Sequence, residues 1–216
     1  MASTLLIELL RKMEQECMAE FWNEDQISAQ LKHPGQRIFL LIEQIPVAVD
    51  PTILPSPWIR KNSAAARGYI WLENRGAMDH NPPSDYRVEK TDQSVQTALS
   101  FSQGPETPFP KVQSPGTDQS VYTEWSNPEF LEAGPGEWEL LRIGVRPEFR
   151  VSGLGHRLMQ AGLRGLAGIV MLEVASNNRS AIKLYEDFGF LEIHRRKNYY
   201  RDSDALIMKL QLGENQ

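Results

Sequence analysis

From Leu5 to Phe21 apolar residues recur at helical spacing, with Leu6, Leu9, Leu10 and Met13 on one stripe, which predicts an amphipathic helix. "WNEDQ" then sets Asn23 three residues before Gln26, a capping-box pattern that opens a second short helix, and His33-Pro34-Gly35 stops it. Arg37 to Gln44 and Arg67 to Asn74 are β-branched and aromatic-rich between breakers, so both read as strands. The Pro-rich stretch between them predicts a long connection, not a tight hairpin. Trp138 to Val145 reads as a strand whose alternation puts Leu141, Ile143 and Val145 on one face, and Gly144 signals a bulge or a close backbone approach. Pro147 closes that strand, and a Gly-x-Gly loop leads into a helix reaching about Ala167. Ile169 to Val174 is too apolar for an exposed strand and is expected at the centre of the sheet. In "NNRSAIKLYEDFGF" Ala181, Leu184, Tyr185 and Phe188 fall at i, i+3, i+4 and i+7, and Gly189 suits the left-handed position after the last turn. Strands around Phe190 to Arg196 and Ala205 to Leu212 finish the pattern. This order predicts an α/β or α+β fold in which the glycine-loop helix crosses between neighbouring strands.

The periodicity lapses between Arg75 and Gly136. That segment holds eight Pro and five Gly, and its nine acidic against four basic residues carry the whole net charge of −5. It also contains an echo, "TDQSVQT" at Thr91 to Thr97 and "TDQSVYT" at Thr117 to Thr123. Such a composition buries too little surface to offset its ordering entropy, so residues 75–136 are expected to be a long mobile insertion. The remaining length suits a single domain, and an apolar fraction of 41% allows a real core. The lone Cys17 excludes a disulfide framework and is expected as a buried, inert thiol. No Cys/His cluster is spaced for zinc, so no metal is expected. The N-terminus lacks the apolar run of a signal peptide, and no stretch reaches the ~18 apolar residues of a membrane span. A cytoplasmic protein is expected.

The glycine loop, "RVSGLGHRL", carries the first chemistry. A dinucleotide fingerprint would need a third glycine and an acidic residue on the next strand, and a P-loop would end in Gly-Lys-Ser/Thr, whereas this one ends Gly155-His156-Arg157. What remains is a helix N-terminus offering free N–H groups beside Arg150, His156 and Arg157. Such a start favours a phosphate or pyrophosphate, and a tight turn that needs two glycines would look the same.

The run "GVRPEFRVSGLGHRLM … LEVASNNRSAIKLYEDFGFLEIHRRKNYY" resembles the GNAT family of acyl-CoA-dependent N-acetyltransferases, and within it the RimI-type enzymes that acetylate the N-terminal alanine of a ribosomal protein. The likeness is dense from Trp138 to Leu212 and looser over Met13 to Asn74. It implies the GNAT fold, a single domain over 1–216 with a mixed central sheet splayed between its fourth and fifth strands, helices on both faces, and the 75–136 insertion between the third and fourth strands. By the same resemblance acetyl-CoA is the donor. Arg150, Val151, Ser152, Gly153, Leu154, Gly155 and His156 would hold its pyrophosphate, backbone groups at Ile143 and Val145 would bond its pantetheine arm, and Asn178 would touch it or serve as a plain helix cap. The bulge at Gly144 would make room for the thioester.

Acetyl transfer needs a neutral amine, a polarised thioester and a proton for the departing thiolate. The family position near the sulfur falls on Tyr185, the expected acid. The RimI-type base falls on Glu173, where a carboxylate within the apolar "MLEV" is costly unless paired or used. A strand-face salt bridge is the plain alternative for Glu173, and helix packing for Tyr185. Tyr199 and Tyr200 resemble the segment beside the peptide groove. His33, His80 and His194 are read as structural or exposed. An α-amine ionises near 7.7–8.0 and lysine near 10.4, so keeping lysine neutral at pH 7 costs roughly 3.5 kcal/mol more, and a single modest base suits an N-terminal acceptor. The expected partner is therefore a protein or peptide N-terminus, a ribosomal protein among the candidates, with no nucleic acid and no membrane. Two departures bear on the acceptor: Gly155 to Glu173 is about one helical turn short, and "RDSDALIM" lacks the family's proline and longer hairpin. Acceptance of lysine or a small amine, or a silent acyl-CoA-binding module, stay open at this level.

Overall fold

The computed structural model describes residues 4–49, 56–76, 135–150 and 152–213. Its first helix, α1 (Thr4–Cys17), buries the expected stripe of Leu6, Leu9, Leu10 and Met13 and extends it through Glu14 to Cys17. The capping box forms as expected: Gln26 N–H donates to Asn23 Oδ1 and Asn23 N–H to Gln26 Oε1, at 2.9 and 3.0 Å, opening α2 (Glu24–Gln30). β1 (Gln36–Ile42) and β2 (Ile45–Val49) follow, then α3 (Ser56–Asn62) and β3 (Ala66–Asn74).

The connection from β1 to β3 is long, as expected, but it begins with a tight hairpin to β2, a strand that the sequence did not announce. β1 and β2 pair antiparallel up to Ile42↔Ile45, so Glu43 and Gln44 form a two-residue turn. Glu43 reaches φ 56° there without the glycine or asparagine that usually announces such a turn. Pro46 is tolerated because β2 is an edge strand.

The second half supplies β4 (Pro135–Val145), a short 3₁₀ turn (Pro147–Phe149), α4 (Leu154–Leu163), β5 (Ala167–Ala175), α5 (Arg179–Asp187), β6 (Leu191–Tyr200) and β7 (Ser203–Leu212). α4 ends at Leu163, a turn earlier than the sequence suggested, because Gly165 takes φ 71° beyond the Arg164 cap. The seven strands run in the order β2-β1-β3-β4-β5-β7-β6. Only β4 and β5 pair parallel, joined by α4 as expected for a crossover between neighbours.

Two apolar layers sandwich this mixed sheet. α1, α2 and α3 pack with Tyr69 and Trp71 on one face. On the other, α4 and α5 pack with Ile70, Leu72, Val170, Leu172 and Val174. Among the described residues no helix is long and apolar enough to cross a membrane.

Of the 75–136 segment, residues 77–134 lie outside the described region, as does His80. Its two ends are held together. Asn74 pairs with Trp138, and Arg75 N–H donates to Glu137 O at 2.8 Å. The Arg75 guanidinium meets Glu73 at 2.8 Å and Glu139 at 2.6 Å. Pro135 and Gly136 already belong to β4, paired with Ala167 and Gly168.

Candidate functional site

The site begins where two strands part. β4 and β5 pair only from Pro135↔Ala167 to Glu139↔Met171. Beyond that point β3 still holds β4 as far as Val145, and β7 still holds β5 as far as Ala175. Leu140–Val145 and Leu172–Ala175 therefore face each other with no ladder between them.

The divergence coincides with a bulge, placed differently from the sequence expectation. Trp71 pairs with Arg142 and Leu72 with Leu140, which makes Leu141 the extra residue. An extra residue bends its strand and sharpens the local twist. It also reverses the alternation: Leu141 packs toward the α1 layer while Ile143 and Val145 pack toward α4 and α5, so the three do not share a face. Gly144 stays in register with Tyr69. Its role is close approach, since a Cβ there would lie 2.7 Å from Cys17 Cβ and 3.1 Å from the Tyr69 ring.

The backbone polarity of the open edge follows from one bond. Arg146 N–H donates to Arg67 O across to β3 at 2.9 Å. By alternation the N–H and C=O groups of Val145 and Ile143 point the other way, toward β5. Val145 O is used there, accepting from Arg150 Nε at 3.1 Å.

The glycine loop follows directly. Arg150 also donates through Nη2 to Cys17 O at 2.9 Å, so its guanidinium braces the loop against β4 and the end of α1. Val151 lies outside the described residues. Ser152 Oγ donates to Phe149 O. Gly153 is the N-cap of α4 at φ 76°, a left-handed conformation that costs other residues about 1–2 kcal/mol. A Cβ there would meet nothing within 4 Å, and no side chain caps the helix. The first-turn N–H groups, around Leu154 and Gly155, are thus left open to an anion. His156 turns aside to Asp187 (3.2 Å) and packs on Phe188 (5.6 Å between centroids), while Arg157 donates to Gln44 O.

On the same face, α5 presents Tyr185, 7% exposed and packed against Phe190 at 5.8 Å. Burial pushes its phenol well above the usual tyrosine range, so it stays protonated. Asn178 caps α5: its Oδ1 accepts from Ala181 N–H and Ser180 Oγ at 3.2 and 3.1 Å.

The opposite face holds a cavity of about 690 Å³, lined by Trp22, Leu141 and Arg142 from one wall and Glu173, Tyr199 and Tyr200 from the other. Glu173 reaches it because Val170, Leu172 and Val174 take the alternate positions in the α4/α5 layer. Both its oxygens are engaged: Arg196 Nη1 lies 3.0 Å from Oε2, and Tyr200 OH donates to Oε1 at 3.0 Å. The Tyr200 phenol is pushed up to about 12, by burial first and then by Glu173. Tyr199 is 55% exposed and meets the Tyr200 ring edge-on at 5.2 Å. Tyr185 and Glu173 thus stand on opposite faces of the sheet, and the parted strands are the opening between them. His194 lies exposed on the edge strand β6, and His33 Nδ1 sits 3.1 Å from the buried Glu73.

Sequence reasoning missed Glu14. It is 1% exposed, accepts Trp22 N–H at 2.8 Å and the Tyr69 hydroxyl, and lies 3.6 Å from Arg142 Nε. Arg142 stacks over Trp22 at 4.4 Å, so this carboxylate anchors one wall of the cavity. The signal was its place four residues after Leu10, on the buried stripe of α1. Arg196, between Glu173 and the Tyr199 ring (5.2 Å), was also missed.

Comparison with known proteins agrees with this architecture. Residues 120–190 match the Acetyltransferase (GNAT) family. Over 85 residues the chain is 40% identical to the N-alpha-acetyltransferase RimI of Mycobacterium tuberculosis, covering 37% of this chain and 52% of that protein. Over 86 residues it is 39% identical to the [ribosomal protein bS18]-alanine N-acetyltransferase of Escherichia coli, covering 36% and 57%. The chain thus spans about half the length of the curated relatives it matches. The solved structure of the E. coli ribosomal-protein-S18-alanine N-acetyltransferase superposes with a TM-score of 0.52 at 19% identity, over 99% of this chain and 92% of that one. Arabidopsis thaliana NAA60 in complex with acetyl-CoA gives 0.51 at 14% identity, over 94% and 92%. The parted parallel strands and the glycine loop at a helix start lie in or beside the matched stretch, so over residues 120–190 the chain is similar to the GNAT acetyltransferases, and it shares the fold of these solved structures.

Proposed function

We propose that this protein is an acetyl-CoA-dependent N-acetyltransferase of RimI type, which transfers the acetyl group directly to the α-amine of a protein N-terminus. One observation carries the reading: the gap between β4 and β5 joins an uncapped helix N-terminus on one face to a carboxylate-lined cavity on the other. The names of the relatives, an N-alpha-acetyltransferase and a ribosomal-protein alanine N-acetyltransferase, support the acceptor class.

The donor fits this chain's own groups. The loop into α4 and its first residues, from Ser152 through Gly155, offer backbone donors to the pyrophosphate, and the space beside Gly153 lets it approach. Arg150 and His156 shape the loop through their bonds to Cys17, Val145 and Asp187. The pantetheine arm would lie along β4 as an added strand does, with the outward backbone groups of Ile143 and the N–H of Val145 as partners, Val145 O being held by Arg150. Asn178 fixes the start of α5 and so the position of Tyr185.

In the reaction the neutral amine nitrogen attacks the thioester carbonyl from the cavity side, and a C–N bond forms. Glu173, directly or through water, takes the proton that the nitrogen sheds. The C–S bond breaks, and Tyr185 gives its phenolic proton to the departing thiolate. Its burial keeps that proton in place until then. Tyr199 and Tyr200 flank the acceptor at the cavity mouth.

The test is release of coenzyme A thiol with an alanine-led peptide, run beside its N-blocked twin carrying one lysine. Release with the free N-terminus alone is the expected result. Release with the lysine peptide alone would overturn the α-amine assignment and leave the family intact. Binding of acetyl-CoA with neither peptide reacting would overturn the protein acceptor and favour a small-amine enzyme or a silent acyl-CoA-binding module.

A further inference from the structure

Four side chains at the cavity wall form a closed ring. Glu173 Oε2 meets Arg196 Nη1 at 3.0 Å, the Arg196 guanidinium sits 5.2 Å over Tyr199, Tyr199 meets Tyr200 edge-on, and Tyr200 OH returns to Glu173 Oε1 at 3.0 Å. The ring exists because β6 breaks its register between Arg196↔Ala205 and Tyr200↔Ser203. Asn198 takes φ 53° in that break, and its N–H is held by Asp204 at 2.9 Å. The neighbouring Arg195 is committed to Glu192 (2.9 Å) and Asp204 (3.6 Å), so it does not stand in for Arg196.

We propose that Arg196 is a positioning residue that selects α-amines over lysine as acceptors. The inference rests on the acetyltransferase reading above and assigns a role that the reading leaves open. With one carboxylate oxygen on a guanidinium and the other on a phenol, Glu173 already has its counter-charge and a fixed orientation. An incoming ammonium therefore gains little from pairing with it. Were the carboxylate bare, the pair would hold the acceptor in its charged, unreactive form, since an opposite charge within ~4–6 Å favours that form. The masked carboxylate instead lets the amine sit as the free base, ready for attack.

This arrangement discriminates by the intrinsic basicity of the amine. About 2.5 pKa units separate an α-amine from a lysine side chain, a difference of about 300-fold in the neutral fraction near pH 7. The other carboxylates of the cavity lining are Glu139, held by Arg75, and Glu20, exposed to solvent, so a masked Glu173 passes most of that difference on to the rate. A site with a bare carboxylate recovers part of it by binding lysine's charged form and then removing the proton. Arg196 acts through Glu173 and touches no reacting atom.

The experiment measures kcat and KM separately for the free-N-terminus peptide and the N-blocked lysine peptide, with wild type, Arg196→Gln and Arg196→Lys, each checked for an unchanged thermal midpoint. For Arg196→Gln the expected result is a lower KM and a lower kcat for the α-amine peptide, with the preference over lysine shrinking about tenfold or more. Arg196→Lys keeps the charge but loses the planar fork, and it restores most of the preference. A preference in Arg196→Gln within about twofold of wild type overturns the inference. So does an equal fall of kcat in both variants at constant KM, which is what a merely structural role would give. If wild type reacts with neither peptide, the protein-acceptor reading fails and takes this one with it, an outcome separable from an active wild type that ignores the change at Arg196.

Discussion

Replacing Glu14 by alanine probes the wall that the sequence concealed. The carboxylate is buried, and it serves the Trp22 amide at 2.8 Å, the Tyr69 hydroxyl and, at 3.6 Å, the Arg142 guanidinium. Its removal strands two neutral donors and one cation. An unsatisfied buried donor costs about 1–3 kcal/mol, and breaking a buried ion pair from one side costs about 3–5 kcal/mol overall, so Glu14→Ala is expected to lose about 3–5 kcal/mol. For a chain of this size that lowers the thermal midpoint by about 6–20 °C. Glu14→Gln keeps an acceptor for the Tyr69 hydroxyl and is expected to lose about 1–2 kcal/mol. Urea denaturation followed by tryptophan fluorescence reads both, with the slope m held constant as the check that only stability has changed. Arg142 and Trp22 line the cavity proposed for the acceptor, so on that proposal the acceptor KM rises in Glu14→Ala while the donor KM does not. A loss below about 1 kcal/mol would refute the reasoning, because it would mean that these donors find water or other partners at no cost.

Other outcomes follow from the same geometry. Glu173→Gln and Tyr185→Phe are each expected to lower kcat by about 100-fold or more while acetyl-CoA still binds, read by stopped-time thiol release beside calorimetric binding. If turnover persists in both, the assigned acid and base are wrong. Gly153→Ala meets no steric obstacle and bears only the left-handed backbone strain, about 1–2 kcal/mol, so it should raise the donor KM about tenfold with kcat nearly intact. An unchanged donor KM would dissociate this loop from the donor. Burial pushes the Cys17 thiol from 9.0 to about 12, so the unfolded chain ionises first as pH rises. Stability is fully present below pH 9 and falls between pH 9 and 12, and Cys17→Ala should flatten the fall in urea midpoint between pH 9 and 10.

Much of this fold was legible in the sequence because its elements advertise themselves locally. The α2 capping box, the α5 stripe and Gly189 (φ 86°) are signals within a few residues of one another. β2 escaped because Pro46 reads as a breaker and Glu43-Gln44 carries no turn residue, yet an edge position and one left-handed glutamate sufficed. The bulge at Leu141 was invisible for a different reason. Alternation counts residues along one strand, whereas a bulge is defined by the partner, here Trp71 and Leu72. Glu173 drew attention through its match to the RimI-type base position and because a carboxylate in an apolar run is conspicuous. Its partner Arg196 lies 23 residues on, amid other basic residues that look alike until β6 turns one of them inward. Asn178 shows the limit of motif reasoning, since its cap bonds are visible and its contact with a donor is an expectation that those bonds neither require nor oppose.

The Arg75 clamp bears on how this chain can change over generations. Because Arg75 bridges Glu73 and Glu139 and the strands pair from Asn74↔Trp138 inward, the chain leaves and re-enters the sheet through adjacent, mutually fastened points. Whatever is spliced between Gly76 and Pro135 leaves every other register untouched. Duplication there carries little risk to the fold, and the twin "TDQSV" runs are what such an event leaves behind. The same suture gives an experimenter a fixed socket beside the Glu173 cavity, into which a reporter domain or a recruiting peptide can be grafted in place of residues 77–134.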